Sequence, residues 1–334
     1  MVPAKPTASI SLDLDNQWAY MRTHGDAGWE SYPSYLAHVL PLALTALAAH
    51  RLKATIFLVG RDAQQERHHE LLGQIPQLGH EVGNHSQNHL QWLHRLPHPE
   101  LEREIVQAED AIITATGVRP RGFRGPGFAC SGPLLQILAA RGYQYDCSTF
   151  PTFVGPLARA YYFMTARKLT QKESEERQDL FGDVRDGLRP LRSYLWTFGG
   201  AKGAAGDPLP DLLEIPVTTM PGVRTPIHMS YVLYLAQRST WLALRYLDTA
   251  LMLCAQTGIE PSILLHPLDF ISGDTCAALR FFPAMAMPAT YKRELVGRAL
   301  AMLTRRFDVV PMGEHARRLR AQGPLPRRQP DLAQ

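Results

Sequence analysis

His85 and His89 stand four residues apart in the run His85-Ser86-Gln87-Asn88-His89. Two imidazoles at that spacing face one way if the chain enters a helical turn after Asn84, and together they could hold one metal ion. Spacing alone does not separate a site from an accident. His94 and His98 repeat it, but Pro97 interrupts any helical turn between them. What distinguishes His85 and His89 is a third candidate ligand far upstream. Ile10 to Leu14 reads as a buried strand running into Asp13-Leu14-Asp15-Asn16. Residues two apart on a strand share a face, so Asp13 and Asp15 point the same way, and aligned carboxylates repel unless a cation sits between them. In a plain turn, Asp15 or Asn16 would instead cap the backbone.

The elements that must position these residues alternate. Tyr35 to His50 carries a helical apolar pattern, Ala54 to Val59 a strand, Asp62 to about Leu78 a helix, and His80 to Asn84 a strand. A polar helix follows, with Pro99 near its start, Glu100 and Glu102 in its first turn and Gly117 at its end. Gly122-Phe123-Arg124 is a short strand, Ser131 opens a helix that stops at Gly142, and Tyr143 to Asp146 is another strand. This order predicts an α/β fold, a parallel sheet or barrel. From about Gly155 to Arg224 the pattern breaks into an aromatic helix (Tyr161, Tyr162, Phe163), a charged run, Leu195 to Phe198, a Gly-rich turn (Gly199 to Gly206) and a strand from Leu212 to Val217. We read residues 155–224 as an insertion with a hairpin, a lid or substrate wall over the site. Helical spacing returns from Tyr231 to Gln256. A buried strand ends at His266, and a helix (Tyr291 to Arg306) and a strand (Phe307 to Val310) follow. Residues 315–334 are Arg- and Pro-rich and are expected to be a disordered basic tail.

Four separated segments thus set polar residues at strand C-termini: Asp13 with Asp15, His85 with His89, Arg124, and His266. That edge is where parallel α/β folds build sites. Each residue also has an ordinary reading. Arg124 fits a surface ion pair, His266 a satisfied core histidine, and His85 or His89 a helix cap.

Composition narrows the class. The 334 residues are 45% hydrophobic and 20% charged, enough apolar material for a sizeable core. A net charge of +4 is too small to argue for a nucleic-acid partner. No run of about 18 uncharged apolar residues predicts a membrane span. Residues 1–9 lack the apolar core of a signal peptide. The four cysteines (Cys130, Cys147, Cys254, Cys276) are scattered with no C-x-x-C pair, which reads as reduced thiols in a cytoplasmic protein.

In order along the chain, these segments resemble the motifs of the polysaccharide deacetylases of the NodB-homology type, carbohydrate esterase family four. Ser11-Leu12-Asp13-Leu14-Asp15-Asn16 resembles the first, with a D-x-D spacing where the family usually has T-F-D-D-G. His85 to His89 matches H-[S/T]-x-x-H. Arg124-Gly125-Pro126-Gly127-Phe128 matches the third motif, Tyr145 to Pro151 resembles the fourth, and Leu265-His266-Pro267 matches the fifth. The resemblance covers about residues 8–150 and 210–312 and implies one domain, 8–314, folded as a distorted (β/α) barrel of about seven strands. It implies metal-dependent removal of an N-acyl group, usually acetyl, from an amino sugar or glycan. Asp15, His85 and His89 would hold a divalent ion. Zinc suits that set best, and cobalt, nickel or manganese would fit. Asp13 would be the base, Arg124 would hold it ionised and oriented, and His266 would protonate the departing amine. Asp146 would orient His266, with Asp269 the alternative. Leu264 or Leu265 would shape an acetyl-sized pocket. A non-sugar amide, linear or cyclic, is the alternative substrate, and a glycan-binding member without catalysis the alternative class.

The strand bearing Asp13 begins within a dozen residues of Met1, which leads us to expect a substrate in the cytosol: a nucleotide sugar, or a lipid-linked sugar at the inner membrane face. Two features favour the lipid. Ile227 to Ala236 is aromatic and uncharged apart from His228. The tail sets Arg317, Arg318, Arg320, Arg327 and Arg328 against Asp331.

Overall fold

The computed structural model describes residues 5–155, 184–203 and 206–330. Its centre is β1 (Thr7–Asp13), buried along its whole length, as a parallel strand covered on both faces must be. Around it run β2 (Thr55–Leu58), β3 (Glu81–Asn84), β4 (Gly122–Phe123), β5 (Tyr145–Asp146), β6 (Tyr194–Trp196), β7 (Leu212–Glu214), β8 (Ser262–Leu265), β9 (Asp308–Val310) and β10 (Arg327–Arg328). The sheet order is β10-β6-β7-β5-β4-β3-β2-β1-β8, with β9 also on β1. Among the described strands only the β6–β7 pair is antiparallel. Past Glu214 the chain stays extended. Thr218 N donates to Ser262 O (3.2 Å) and Ser262 N to Thr218 Oγ1 (2.7 Å). These two bonds bring the β7 side to β8, so β1, β2, β3, β4, β5, β7 and β8 curl into a distorted ring. The α/β class and curled sheet are as expected. The described strands number ten rather than seven, because β6, β9 and β10 lie outside the ring.

The helices are α1 (Gln17–His24), α2 (Leu36–Ala49), α3 (Gly60–Ala63), α4 (His69–Gln77), α5 (His98–Thr116), α6 (Gly132–Ala140), α7 (Met229–Ala236), α8 (Thr240–Thr257), α9 (Ala289–Arg306) and α10 (Met312–Ala321). The main core lies between the outer sheet face and α2, α7, α8 and α9. Two expected helices are each broken. Asp62 to Leu78 splits into α3 and α4, and Tyr231 to Gln256 splits where Ser239 caps α8 by accepting from Leu242 N (3.3 Å).

Residues in register share a face of a parallel sheet. Asp13, Phe57 and Gly83 are in register and face into the ring. A Cβ on Gly83 would lie 2.4 Å from the Phe57 ring, so only glycine leaves room for it. The ring interior is filled by α10, whose Met312, Ala316 and Leu319 pack on Phe57, Tyr145, Cys147, Leu213 and Ile215. Glu81 holds the start of that helix, accepting from Gly313 N (2.8 Å), where a carboxylate meets the positive end of the dipole.

Two expectations are corrected here. Residues 315–330 of the tail are ordered elements, not a disordered run. They complete α10 and add β10 to the sheet, with Arg327 paired to Asp211 (2.9 Å) and Arg318 to Asp308 (2.6 Å). The hairpin in 155–224 is not a lid laid on the barrel. Its second strand, β7, is a wall of the ring, parallel to β5. The aromatic helix expected at Tyr161, Tyr162 and Phe163 lies outside the described residues.

Candidate metal and catalytic site

Asp15 follows β1 by two residues. Its Oδ1 lies 3.2 Å from His85 Nε2 and 3.0 Å from His89 Nε2. All three side chains are buried, and together they form a group able to hold one cation. Asp15 Oδ1 has no well-formed hydrogen bond among the described residues, while Oδ2 accepts from Tyr20 Oη (3.2 Å). His85 Nδ1 lies 2.6 Å from Arg124 O. Donation to that carbonyl leaves the His85 Nε2 lone pair turned to the site. A carboxylate oxygen without a donor, facing two imidazole nitrogens, is the donor set of a divalent ion. Burial alone would raise the Asp15 pKa. The two imidazoles, His89 first, outweigh it and hold the carboxyl well below its ordinary range.

The two readings of Asp13-Leu14-Asp15-Asn16 divide between neighbours. Asn16 caps α1, accepting from Gln17 N (2.8 Å), and Asp15 goes to the site. The histidine pair does not ride a helical turn. After Asn84 the chain loops, with Ser86 (φ 62°) and His89 (φ 50°) left-handed. Asn84 Oδ1 accepts from Ser86 N (2.8 Å), which turns the chain away from the strand. Gly60 N and Arg61 N then take the Ser86 and Gln87 carbonyls, and Arg22 on α1 takes those of Asn88 and His89 (2.6 Å each). The loop is fixed by neighbours, not by its own helical bonds.

On one side of this cluster Asp13 Oδ1 accepts from Arg124 Nη1 at 2.6 Å. Arg124 is wholly buried. It also donates to Ser11 Oγ (2.8 Å) and Cys147 O (3.2 Å) and lies 4.6 Å from the Phe57 ring centre. Burial works against its charge, and Asp13 more than offsets that, so its pKa is raised. On the other side is His266. Its Nδ1 is 3.1 Å from Ser230 Oγ, which donates to Asp269 Oδ1 (2.7 Å). Asp269 Oδ2 accepts from His266 N (2.8 Å).

Asp146 does not join them. It is in register with Phe123 and Glu214, one residue out of phase with the inward-facing Tyr145 and Cys147, so its carboxyl points to the outer face. There Ser148 Oγ donates to Asp146 Oδ1 (2.6 Å) and accepts from Gly125 N (2.8 Å), which fixes the loop after Arg124. Burial, then the Glu214 carboxylate, push the Asp146 pKa well above the ordinary value. Asp269 is the carboxylate linked to His266. The pattern His266-Pro267-Leu268-Asp269 carried that signal: Pro at the first helical position starts the turn, and the acid at the third reaches back to the N-cap His266 as in a capping box.

Asp13, Asp15, His85, His89 and His266 open on a cavity of about 340 Å³ walled by Tyr20, Phe128, Phe150, Tyr231, Phe281 and Phe282. The leucine lining it is Leu268, not Leu264 or Leu265, which are buried in the strand. Two further histidines line the cavity that the sequence did not single out. His24 pairs with Asp26 (2.9 Å) and stacks on Phe281 at 3.6 Å between centroids. His228 sits 6.0 Å from His266, ring to ring, with a buried Nδ1 that has no hydrogen bond among the described residues. Burial, then His266, push its pKa down to about 3.

Fold and site together define an α/β-barrel protein with a buried Asp–His–His cluster, able to hold a cation, at the strand C-termini. The family model for polysaccharide deacetylases matches residues 25–145, which hold His85, His89 and Arg124. The chain is 28% identical over 140 residues to a peptidoglycan-N-acetylglucosamine deacetylase of Bacillus cereus, covering 42% of this chain and 61% of that one. It is 30% identical over 107 residues to an uncharacterized protein of Bacillus subtilis, covering 32% and 31%. The matches thus span about a third to three fifths of the relatives' own length. A putative polysaccharide deacetylase from Mycobacterium smegmatis shares the fold over 98% of this chain and 95% of its own, with a TM-score of 0.58 at 18% identity. A structure titled Puue allantoinase does so over 96% and 92%, with a TM-score of 0.53 at 17% identity. Over residues 25–145, about a third of the chain, the sequence thus resembles the polysaccharide deacetylase family, and the two solved structures share its fold.

Proposed function

We propose that this protein is a metal-dependent hydrolase that removes an N-acyl group, most simply acetyl, from an amino sugar. One observation carries the reading: a buried Asp–His–His cluster able to hold one cation lies in one cavity between a buried Asp–Arg pair and a histidine linked through Ser230 to a carboxylate. Asp15, His85 and His89 would hold zinc, or cobalt, nickel or manganese, and leave positions for substrate. An ion held there would supply Lewis acidity toward the amide oxygen and lower the pKa of the water that attacks the acyl carbon. Asp13 takes the proton of that water, and Arg124 keeps Asp13 ionised and aimed. As the C–N bond breaks, His266 gives its proton to the leaving nitrogen, which could not depart as an anion. His228 offers the substrate a neutral ring nitrogen beside His266. The aromatic walls suit the apolar face of a sugar ring. The four free cysteines favour a reducing compartment, so we place the reaction in the cytoplasm.

The relative named as a peptidoglycan-N-acetylglucosamine deacetylase supports a glycan substrate. The test is acetate release by metal-loaded protein from N-acetylglucosamine oligomers and from nucleotide-linked N-acetyl sugars, with Asp13→Asn as control. Release abolished in the variant supports the reading. Loaded protein that binds these sugars and releases nothing would be a glycan-binding member instead. The solved allantoinase neighbour and the largely aromatic walls make a cyclic amide the second reading. Ring opening of allantoin without acetate release would establish it.

A further inference from the structure

The corner between α7 and α8 leaves large apolar side chains in water. Trp241 is 69% exposed, Leu242 57% and Tyr234 52%. They are grouped. All three line one open groove with Arg238 and Arg245, and Trp241 and Arg245 line a second beside it with Arg298 and Arg305. The local cause is the break at Ser239. Capping there starts α8 with Ala243, Leu244 and Leu247 turned to the core, and Trp241 and Leu242 are left outside. Tyr231 and Tyr234 line both the first groove and the catalytic cavity, so the patch is continuous with the cavity mouth.

We propose that this corner docks on an anionic phospholipid bilayer and seats the cavity mouth at the headgroups. Trp and Tyr favour that boundary because a ring body and a polar tip suit its two sides. Arg238, Arg245, Arg298 and Arg305 are exposed around them, and the acid in the same grooves, Asp248, is paired with Arg306 at 2.9 Å. The patch therefore presents positive charge around an apolar centre, which complements anionic lipid. No helix among the described residues is long and apolar enough to cross a membrane, and the contact is peripheral. The surface overlaps the one expected from the sequence only in part, at Tyr231 and Tyr234. Ile227, Met229, Val232 and Leu233 are core, and Arg317, Arg318 and Arg327 are paired with acids on and around α10. If the cavity is the deacylating site proposed above, the substrate class is an N-acyl amino sugar carried on a lipid. Lipid binding itself does not depend on that reading.

The test is co-sedimentation of the full chain with vesicles of equal parts phosphatidylglycerol and phosphatidylcholine, against pure phosphatidylcholine, at low and high salt. The expected result is binding to the anionic vesicles that falls roughly tenfold or more at high salt. The double variant Trp241→Ala/Leu242→Ala should weaken binding by roughly tenfold or more and leave hydrolysis of a soluble amide or acetyl ester unchanged. Arg238→Gln/Arg245→Gln, which removes two charges and keeps Trp241, Leu242 and Tyr234, should flatten the salt dependence. Wild-type protein that ignores the anionic vesicles at low salt overturns the proposal. So does a Trp241/Leu242 variant that binds as well as wild type, or one that turns a dimer into a monomer by light scattering, since the patch would then be a protein interface. Vesicle binding without amide hydrolysis would sink the deacylase reading alone.

Discussion

Arg124 Nη1 lies 2.6 Å from Asp13 Oδ1, with both side chains shut away from water. The pair joins β1 to the end of β4 across the ring, and each partner makes the other's charge tolerable. Breaking a buried pair by removing one member costs about 3–5 kcal/mol, because the survivor keeps an uncompensated charge. Arg124→Met should therefore destabilise the protein by that amount in denaturant unfolding.

Asp13→Asn keeps the shape and the contact to Arg124 but cannot accept a proton. Its metal content should match wild type, while kcat falls by about two orders of magnitude or more. Full activity in Asp13→Asn would remove Asp13 from the role of base.

The proposed cation site makes its own prediction. Asp15→Ala, His85→Ala and His89→Ala should each lower the bound metal measured by elemental analysis. Chelation of the wild type should lower its melting temperature, and readdition of metal should restore it. A ligand at about a hundred times its Kd stabilises the fold by about 2.7 kcal/mol. His89→Ala with full occupancy and activity would mean the wrong three residues were chosen.

Most of the site was legible because parallel strands deliver their last residues to one edge. Asp13, Arg124 and His266 each end or follow a short apolar run, and Asp15 and His85 lie within two residues of one. The conformation of His85 to His89 was not legible, since it depends on Arg22 and α3, which are distant in sequence. Asp146 was misread because its phase on a two-residue strand is set by pairing with β4 and β7, not by its own sequence. The tail looked disordered because its arginines seemed unpartnered. Their acids and carbonyls, Asp211, Asp308 and Gln144, come from elsewhere in the chain.

Asp146 predicts a pH effect on stability. Unfolded, this carboxyl titrates near 3.8, and in the fold it titrates well above that. Between those values the folded state binds more protons than the unfolded one. The group's contribution is fully present below 3.8 and is lost as pH rises through the folded value. Asp146→Asn keeps a neutral side chain of the same shape beside Ser148 and Glu214. Urea unfolding across a pH series should show the variant gaining on wild type as pH rises from about 4, then a constant difference. A difference independent of pH would show that Asp146 titrates normally in the fold.

The last prediction separates the two carboxylates that could serve His266. Asp269 accepts from His266 N and from Ser230 Oγ, which itself stands 3.1 Å from His266 Nδ1. The serine passes the carboxylate's orientation to the ring. Asp146 faces Ser148 and Glu214 instead. Asp269→Asn preserves the volume and removes the charge. Losing the partner that orients a metal-bound histidine costs about 10- to 100-fold, and we take the same scale for the partner of His266. We expect that loss in kcat, with KM and metal content close to wild type, because neither the cavity walls nor Asp15, His85 and His89 are touched. Ser230→Ala should show a smaller loss of the same kind. Asp146→Asn should change kcat by less than about twofold, as expected for a group away from the reacting atoms. Equal kcat losses in Asp146→Asn and Asp269→Asn would return Asp146 to the machinery and undo the assignment of Asp269.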